Sequence, residues 1–493
     1  MTPDPVSATA RAAFLRAFPA IGLAIFVAAI DQTITATALP SIASHFGVVQ
    51  RISWVVVAYL IAATIAAPVF GRLGDAFGRR RMLMLGFGLQ AVGALAASFA
   101  PSFGTLLAAR ILQGFGGGAL LTVAMALVGE SLPPRERGRY QGYLVACFMS
   151  ASAAGPTAGG WLTQHFGWQG VFLAGLPLVA LGGLMAWRLP RGMAATGGFR
   201  FDTPGTLCFT VFVIALVAML DQVQRLGSEG AMLLTTLFGG VAVLALMALL
   251  RVERRVRDPL LPLSLLGEAT IWRTNLLSAC VAGALVALIS FLPLYLTVVR
   301  GVPIATVGLM LLPMSLGGGV GALISGLFLA RTGRNMLLPS LGLVLTTTVL
   351  CGLAFWAGRI PLSVLPWLLA LSSLGFGTTF PAVQTTVQAA AGPARLGVAT
   401  ASVQFVRNLG SATGTALLGA LLFGAIAMME GGLAERLAAV IRGGREALAV
   451  LTTLERAAIA GGLAEGFRIF FGGAAAIAGL AAVMAWRVPL RRL

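Results

Sequence analysis

Apolar runs of about twenty residues follow one another along almost the whole chain, and no other feature limits its folding so strongly. They fall at roughly 17–38, 53–70, 83–100, 104–126, 140–160, 168–188, 204–222, 231–250, 272–298, 305–330, 336–357, 363–387, 398–427 and 467–487, bounded by Arg, Gly and Pro. A helix of about twenty residues is about 30 Å long, which matches the hydrocarbon core of a bilayer. Backbone polar groups inside lipid must bond within their own segment, so such runs are expected to be helices. The expected class is therefore an all-α membrane protein with 14 spans. Charged residues make up only 10% of the 493, against 58% hydrophobic. Soluble chains carry about 25% charge, so a soluble enzyme is excluded, and the composition also excludes a disordered, collagen-like or disulfide-rich chain. Cys147, Cys208, Cys280 and Cys351 fall in four separate apolar runs, where reduced core residues are expected. No metal and no cofactor are expected.

The net charge of +18 arises from 34 basic residues, all of them Arg. In a soluble chain that excess would suggest nucleic acid. Here the arginines lie in short loops between apolar runs, so no nucleic-acid partner is expected, and the charge instead sets topology. With the N-terminus inside, 23 arginines fall in cytoplasmic segments and four in short outer loops, which places both termini in the cytoplasm. The first apolar run is a full span carrying an Asp, which is not the pattern of a cleavable signal. A long outer loop at 428–466 is rich in Ala, Leu, Glu and Arg. It reads as amphipathic helix on the membrane surface, or as a contact for a partner such as a periplasmic adaptor protein. The stretch 251–268 reads as a bent linker or surface helix.

Internal matches suggest duplication. Gly71, Gly78 and Arg79 align with Gly326, Gly333 and Arg334 at an offset of 255; Gly114 and Gly116 align with Gly375 and Gly377 at 261; Pro134 and Gly138 align with Pro393 and Gly397 at 259. The expected organisation is a six-helix bundle over 1–200, two inserted spans and a linker over 201–270, and a second six-helix bundle over 271–493. Two similar halves around a midplane cavity are the architecture of an alternating-access carrier.

A few polar residues interrupt the apolar runs. Asp31 is a carboxylate inside a span, costly when ionised, and able to accept and release a proton; the alternative is a side chain paired only for packing. Arg110 needs a partner, and Gln113 lies one turn on along the same helix face. Arg110 could favour Asp31 deprotonation, hold an anionic substrate, or snorkel to the interface. In the 71–81 loop, Gly71, Gly74 and Gly78 allow a tight turn, while Asp75 can pair with an Arg or cap a helix. Arg79–Arg81 face the cytoplasm, so the loop could latch one conformation. Glu130 is expected to pair with Arg137 or Arg139. Gly155, Pro156, Gly159 and Gly160 are expected to pack a bent helix against Gly317–Gly321. Gln404, Arg407 and Asn408 place a second charge inside the later half, for substrate or for bracing. Leu371 stands at the register of Arg110 in the second repeat, so the halves are chemically unequal. His45 and His165 are read as outer-loop residues without a metal role. No Walker A sequence, nucleophile elbow or HExxH occurs, so neither an enzyme nor an ATP-driven pump is expected.

Taken in order, these residues resemble the major facilitator superfamily, in particular its 14-span drug–proton antiporter family. Asp31-Gln32-Thr33-Ile34 with Ala38-Leu39-Pro40 resembles that family's first-span signature, and Trp54 with Tyr59 resembles the opening of its second span. Gly71–Arg81 resembles the superfamily loop motif, Arg110 with Gln113-Gly114 the span-4 motif, and Gly155-Pro156 with Gly159-Gly160 the antiporter motif. The resemblance implies a major facilitator fold of two six-helix bundles plus two inserted transmembrane helices. It also implies proton-coupled export of hydrophobic or amphipathic small molecules, as in antibiotic resistance, from a bacterial inner (cytoplasmic) membrane and among membrane lipids. Asp31, Arg110 and Gln113 would then handle protons. Thr35-Ala36-Thr37 departs from the family's usual run. No acidic residue lies in spans 9–13, which argues against dicationic substrates. An exporter dedicated to one endogenous metabolite, a non-transporting sensor or scramblase, and an importer remain as alternatives.

Overall fold

The computed structural model describes residues 5–48, 51–189, 201–223, 231–256, 259–427 and 453–493. Its elements are helices: α1 Pro5–Phe46, α2 Trp54–Phe77, α3 Arg79–Ser98, α4 Phe103–Ser131, α5 Pro134–Leu173, α6 Leu176–Trp187, α7 Thr203–Val223, α8 Ala231–Glu253, α9 Leu263–Leu266 and α10 Ala269–Leu294. After a π-helical turn at Tyr295–Val299 come α11 Ile304–Thr332, α12 Leu337–Trp356, α13 Leu365–Gly377, α14 Thr379–Ala391, α15 Leu396–Ala427 and α16 Thr453–Arg487. Among the described residues the extended pairing is one isolated antiparallel bridge, Arg334 with Arg492. Among the described residues eleven stretches are long and apolar enough to cross a membrane.

Local chemistry sets the boundaries. Ser102 caps α4 by accepting from the Thr105 N–H, with Thr105 returning a bond to the Ser102 N–H. Pro134 opens α5 where its missing N–H costs nothing. The break in α5 lies at Gly167, not at Pro156. The last helix begins at Thr453, inside the range expected to be outer loop; the rest of that expected loop, 428–452, lies outside the described residues. His45 ends α1 and His165 sits within α5, so neither is in a loop. The linker residues near 259–261 dock onto α2: Arg72 Nε donates to the Pro259 carbonyl at 2.8 Å.

Four apolar cores hold the helices together. Two are built from α1–α6, one near each end. A third is built almost wholly from α9–α16, and a fourth joins α7 and α8 to α2. Beyond that seam α7 and α8 are broadly apolar outside, with Met232 and Leu233 fully exposed, as lipid-facing helices are.

Packing tests the internal repeat. Helices α2 and α11 both end on a glycine with positive φ, Gly78 at 91° and Gly333 at 68°, a geometry that side chains resist. Gly116 packs on α3 at Gly86 and Gln90, while Gly375 packs on α12 at Gly342 and Thr346. Gly118 packs on α2 at Ala63, and Gly377 on α11 at Gly318. The α4–α13 match is therefore Gly116 with Gly375 and Gly118 with Gly377, an offset of 259 rather than 261. That register sets Leu369, not Leu371, opposite Arg110. The conclusion of chemically unequal halves is unchanged by the correction.

The expected match of Gly155–Gly160 to Gly317–Gly321 does not occur. Gly155 and Gly159 lie on α1 at Thr33, Ile34 and Thr37, and Gly317 and Gly321 lie on α13 at Ala370 and Leu374. Helices α5 and α11 instead meet through Gly138, Gly142, Gly326 and Leu329. A helix presents a different face every few residues, and the rotation that decides which glycine meets which neighbour is set by packing.

Candidate functional site

Three helices converge on one buried polar cluster. Small residues let them approach: a Cβ on Gly118 would lie 2.5 Å from the Ala63 carbonyl, and one on Gly93 would lie 2.6 Å from Gln113 Cγ. Into this seam α1 contributes Asp31, α2 contributes Tyr59, and α4 contributes Arg110 and Gln113. The Arg110 Nη1 donates to Asp31 Oδ2 at 3.1 Å and to Gln113 Oε1 at 2.8 Å. Gln113 Nε2 donates to Asp31 Oδ1 at 3.3 Å, which closes a triangle. Arg110 Nε donates to the Val55 carbonyl at 3.2 Å. The guanidinium also lies over the Tyr59 ring, 4.5 Å from its centroid. Arg110 is 0% exposed and Asp31 8%. The carboxylate thus forms the rim of the cluster, and the cation its interior.

This arrangement carries a simple chemistry. A buried ion pair is stable only while both charges persist, and removing one charge leaves the other uncompensated. A proton on Asp31 would neutralise the carboxylate while Arg110 keeps its bonds to Gln113 and Val55. Protonation and the Asp31–Arg110 bond therefore compete. Tyr59 and the Val55 carbonyl, four residues apart on one face of α2, were not singled out from the sequence as site groups. The resemblance at Trp54 and Tyr59 was the only signal pointing there.

The later polar residues sit elsewhere. Gln404 is buried, Asn408 Nδ2 donates to Thr64 Oγ1 of α2 at 3.1 Å, and Arg407 lies between two rings, Phe148 of α5 and Phe380 of α14, each centroid 5.9 Å away. Among the described residues no carboxylate pairs with Arg407. Phe148 and Phe380 were not anticipated either, because they come from two different helices far apart in sequence.

The expected loop at 71–81 is helical but for Gly78, where α2 turns into α3, and Gly71, Asp75, Gly78, Arg79, Glu130 and Arg137 gather at that end, whereas Gly155 and Gly159 lie on α1 away from it. Asp75 pairs with Arg79 and accepts from the Gly397 and Val398 N–H groups at 3.1 and 3.3 Å. It thus serves as an N-cap for α15 supplied by another helix. Arg79 Nη1 also donates to the Gly71 carbonyl at 3.3 Å. Glu130 pairs with Arg79 at 3.4 Å, rather than with Arg137 or Arg139. Arg137 folds back to donate to the Leu132 carbonyl at 2.8 Å, and Arg139 turns to the Tyr143 hydroxyl at 2.9 Å. Both have nearer partners than Glu130 on their own connection, which explains the difference.

Backbone crosses backbone at the same end. A Cβ on Gly71 would lie 2.7 Å from the Gly397 carbonyl, and Gly326 sits against the Gly138 carbonyl. These two crossings are repeat-related: Gly71 corresponds to Gly326, and Gly138 to Gly397. Gln388 Nε2 adds a bond to the Met125 carbonyl at 3.0 Å. Over the described residues α1 and α10, the first helix of each set, share no extensive packing. The sets are closed at the end bearing residues 71–81. Gly160 has no neighbour within 4 Å and takes no part in that closure.

The chain is thus a bundle of membrane-length helices in two sets, with a buried polar cluster inside the first. A family model described as Major Facilitator Superfamily matches residues 21–415, and the chain belongs to that superfamily. Among curated proteins it is 32% identical over 405 residues to an uncharacterised MFS-type transporter, Rv1877, of Mycobacterium tuberculosis, covering 82% of this chain and 59% of that protein. The chain thus spans less than two thirds of that relative's length. It is 28% identical over 406 residues to the multidrug transporter protein MdtP of Bacillus subtilis, covering 81% of this chain and 74% of that one. Among solved structures the human organic anion transporter MFSD10 superposes with a TM-score of 0.65 at 14% identity, covering 95% and 99% of the two chains. The Escherichia coli fucose:proton symporter FucP superposes at 0.60 with 13% identity, covering 95% and 98%. These two likenesses show the fold alone. The protein is thus a member of that superfamily with many membrane-length helices, and it has relatives named as multidrug or efflux pumps.

Proposed function

We propose that the protein is a proton-coupled antiporter that exports hydrophobic or amphipathic compounds from a bacterial cytoplasmic membrane by alternating access. The observation carrying this reading is the closed triangle of Asp31, Arg110 and Gln113 inside the first helix set, where proton binding and the ion pair compete. The kinship with transporters named for multidrug export supports the direction and the breadth of substrates. Fourteen passes follow if the stretch Pro134–Trp187 crosses twice, broken at Gly167, and if α13 with α14, and α15, each cross once. Both termini are then cytoplasmic, by the arginine bias. The two six-helix sets flank the inserted α7 and α8.

On this topology the closed end is cytoplasmic, which supports reading this state as outward-facing. Gly71, Asp75, Gly78, Arg79, Glu130 and Arg137 latch that end, while Gly155 and Gly159, in the stretch that also holds Pro156 and Gly160, set how α5 rides on α1. Protonation of Asp31 from outside loosens Arg110 and permits the return step. One charge moving inward through 100 mV supplies about 2.3 kcal/mol, and each pH unit about 1.4 kcal/mol per proton. Gln404, Arg407 and Asn408 contact the substrate. The stretch 428–466 would be the place for a periplasmic adaptor, if one is used.

A second reading is an exporter dedicated to one metabolite. Arg407, without a described carboxylate and framed by two aromatic rings, favours an anionic or neutral aromatic compound over a dication. The test of both is uptake into inverted vesicles under an imposed pH gradient, using cationic ethidium and an anionic fluorescein dye, with wild type and Asp31→Asn. Gradient-driven uptake that Asp31→Asn abolishes supports the antiporter. Gradient-driven uptake that survives Asp31→Asn sinks the proposed coupling site.

A further inference from the structure

A second polar feature, remote from the site above, has no role in transport as proposed. Where α16 ends and α12 begins, a cavity of about 210 Å³ opens at the same end of the molecule as residues 71–81. Arg334, Arg491 and Arg492 line it, Trp486 forms a wall, and the buried Ala485 and Ser340 form its floor.

The chain holds these arginines in place through its backbone. The Asn335 N–H donates to the Arg491 carbonyl at 3.3 Å, Asn335 Nδ2 to the Leu490 carbonyl at 2.8 Å, and the Leu493 N–H to the Gly333 carbonyl at 2.9 Å. The bridge sets Arg334 directly opposite Arg492. Like charges directly opposed on paired strands repel and destabilise the pairing. Among the described residues no carboxylate pairs with any of the three. Arg491 turns its guanidinium over the Trp486 ring, 5.9 Å away, and donates to the Trp486 carbonyl, which leaves Arg334 and Arg492 as uncompensated neighbours. Two exposed cations set side by side beside a cavity suit an anion.

The surroundings say which anion. From the cavity, the outer surfaces of α12 and α16 continue as exposed apolar residues, Leu341 and Val344 on one helix, Leu480 and Val483 on the other. Trp486, half exposed at the end of a membrane-crossing stretch, has the position of an interfacial aromatic. A soluble phosphate would use only the arginines. A phospholipid would use the arginines for its headgroup and the apolar strip for its chains.

We propose that Arg334, Arg491 and Arg492 form a site for the phosphate-bearing headgroup of an anionic phospholipid, whose acyl chains lie along α12 and α16. Guanidinium groups suit phosphate oxygens through paired N–H donors, and basic pockets between helices at a membrane face are a recurrent headgroup site. The site is independent of substrate and of proton coupling. Its leaflet is the inner one on the proposed topology.

The test is native mass spectrometry of the purified full chain in neutral detergent, titrated with phosphatidylglycerol and with phosphatidylcholine of the same chains. Wild type is expected to retain phosphatidylglycerol in preference. Neutralising each arginine should weaken that retention about fivefold, most simply read in the R334Q/R492Q double variant. Arg334→Lys, which keeps the charge, should retain most of the preference and serves where the double variant fails to elute as wild type. The proposal is overturned if wild type binds both lipids equally, if R334Q/R492Q keeps the wild-type preference, or if millimolar inorganic phosphate displaces the lipid. The last result would mark a site for a soluble anion.

Discussion

Two arginines lie inside this bundle, and they are solved in opposite ways. Arg110 is sealed: its donors reach a carboxylate, an amide and a backbone carbonyl, and an aromatic ring covers its face. Arg407 has two aromatic faces and no described counterion, and its side chain retains partial exposure. All of Arg110's partners come from the first helix set. The rings at Arg407 come one from each set, Phe148 from α5 and Phe380 from α14. The difference teaches what each cation can respond to. On the proposed function, Arg110 would answer to a proton on its partner, and Arg407 to whatever arrives between the sets and to their relative movement.

The comparison can be broken or sharpened in order of expected effect. Asp31→Asn should reduce gradient-driven transport to background in vesicles while leaving the protein folded, because the amide still accepts from Arg110. Arg110→Leu strands the Asp31 carboxylate and should cost about 3–5 kcal/mol of stability, read by thermal or denaturant unfolding in detergent. Combining it with Asp31→Asn should recover part of that loss, which would mark the effect as one of unpaired charge. Gly397→Val forces a side chain into the α2 backbone and should shift the molecule toward opening at that end by about 1–3 kcal/mol, measurable as a lengthened spin-label distance across the end. Arg407→Gln should raise the KM for an anionic dye about tenfold while changing stability by less than about 1 kcal/mol. If Arg407→Gln destabilises as much as Arg110→Leu, the contrast fails and Arg407 is a brace. Asn408→Ala should have the smallest effect, about 0.5–1.5 kcal/mol on the balance of states, since one neutral hydrogen bond is lost.

What could be read beforehand follows from what is local. A lone Asp31 in an apolar run is conspicuous whatever surrounds it, and Arg110 with Gln113 share a face by helical period alone. The structure brings those three together. That the chain is a succession of membrane-length helices was legible for the same reason, from hydropathy along the chain, whereas the number of crossings was not. Partners across helices were not. Glu130 meets Arg79 because of how α3 starts beside the end of α4, and no spacing in the sequence encodes that. The glycines of α5 divide between two neighbours, Gly138 and Gly142 toward α11, Gly155 and Gly159 toward α1, because a helix this long faces different helices at its two ends. The repeat offset of 261 failed because glycines are so frequent that a two-residue slip still matches. Packing on the third and second helix of each set restores 259.

The crossings of Gly71 with Gly397 and of Gly138 with Gly326 have a mechanical consequence. Most gates are made of side chains, which must abandon their rotamers on opening and find them again on closing. Here main chain meets main chain at the centre of each crossing, with only Ala401, Leu329 and the Asp75–Arg79 pair beside it. If the ends part and rejoin as proposed, few side chains at these two crossings have to be re-sorted. Wear, in the sense of misregistered closures, should be rare at such a joint, and the pace of the cycle is left to the charged latch around Asp75 and to the cargo.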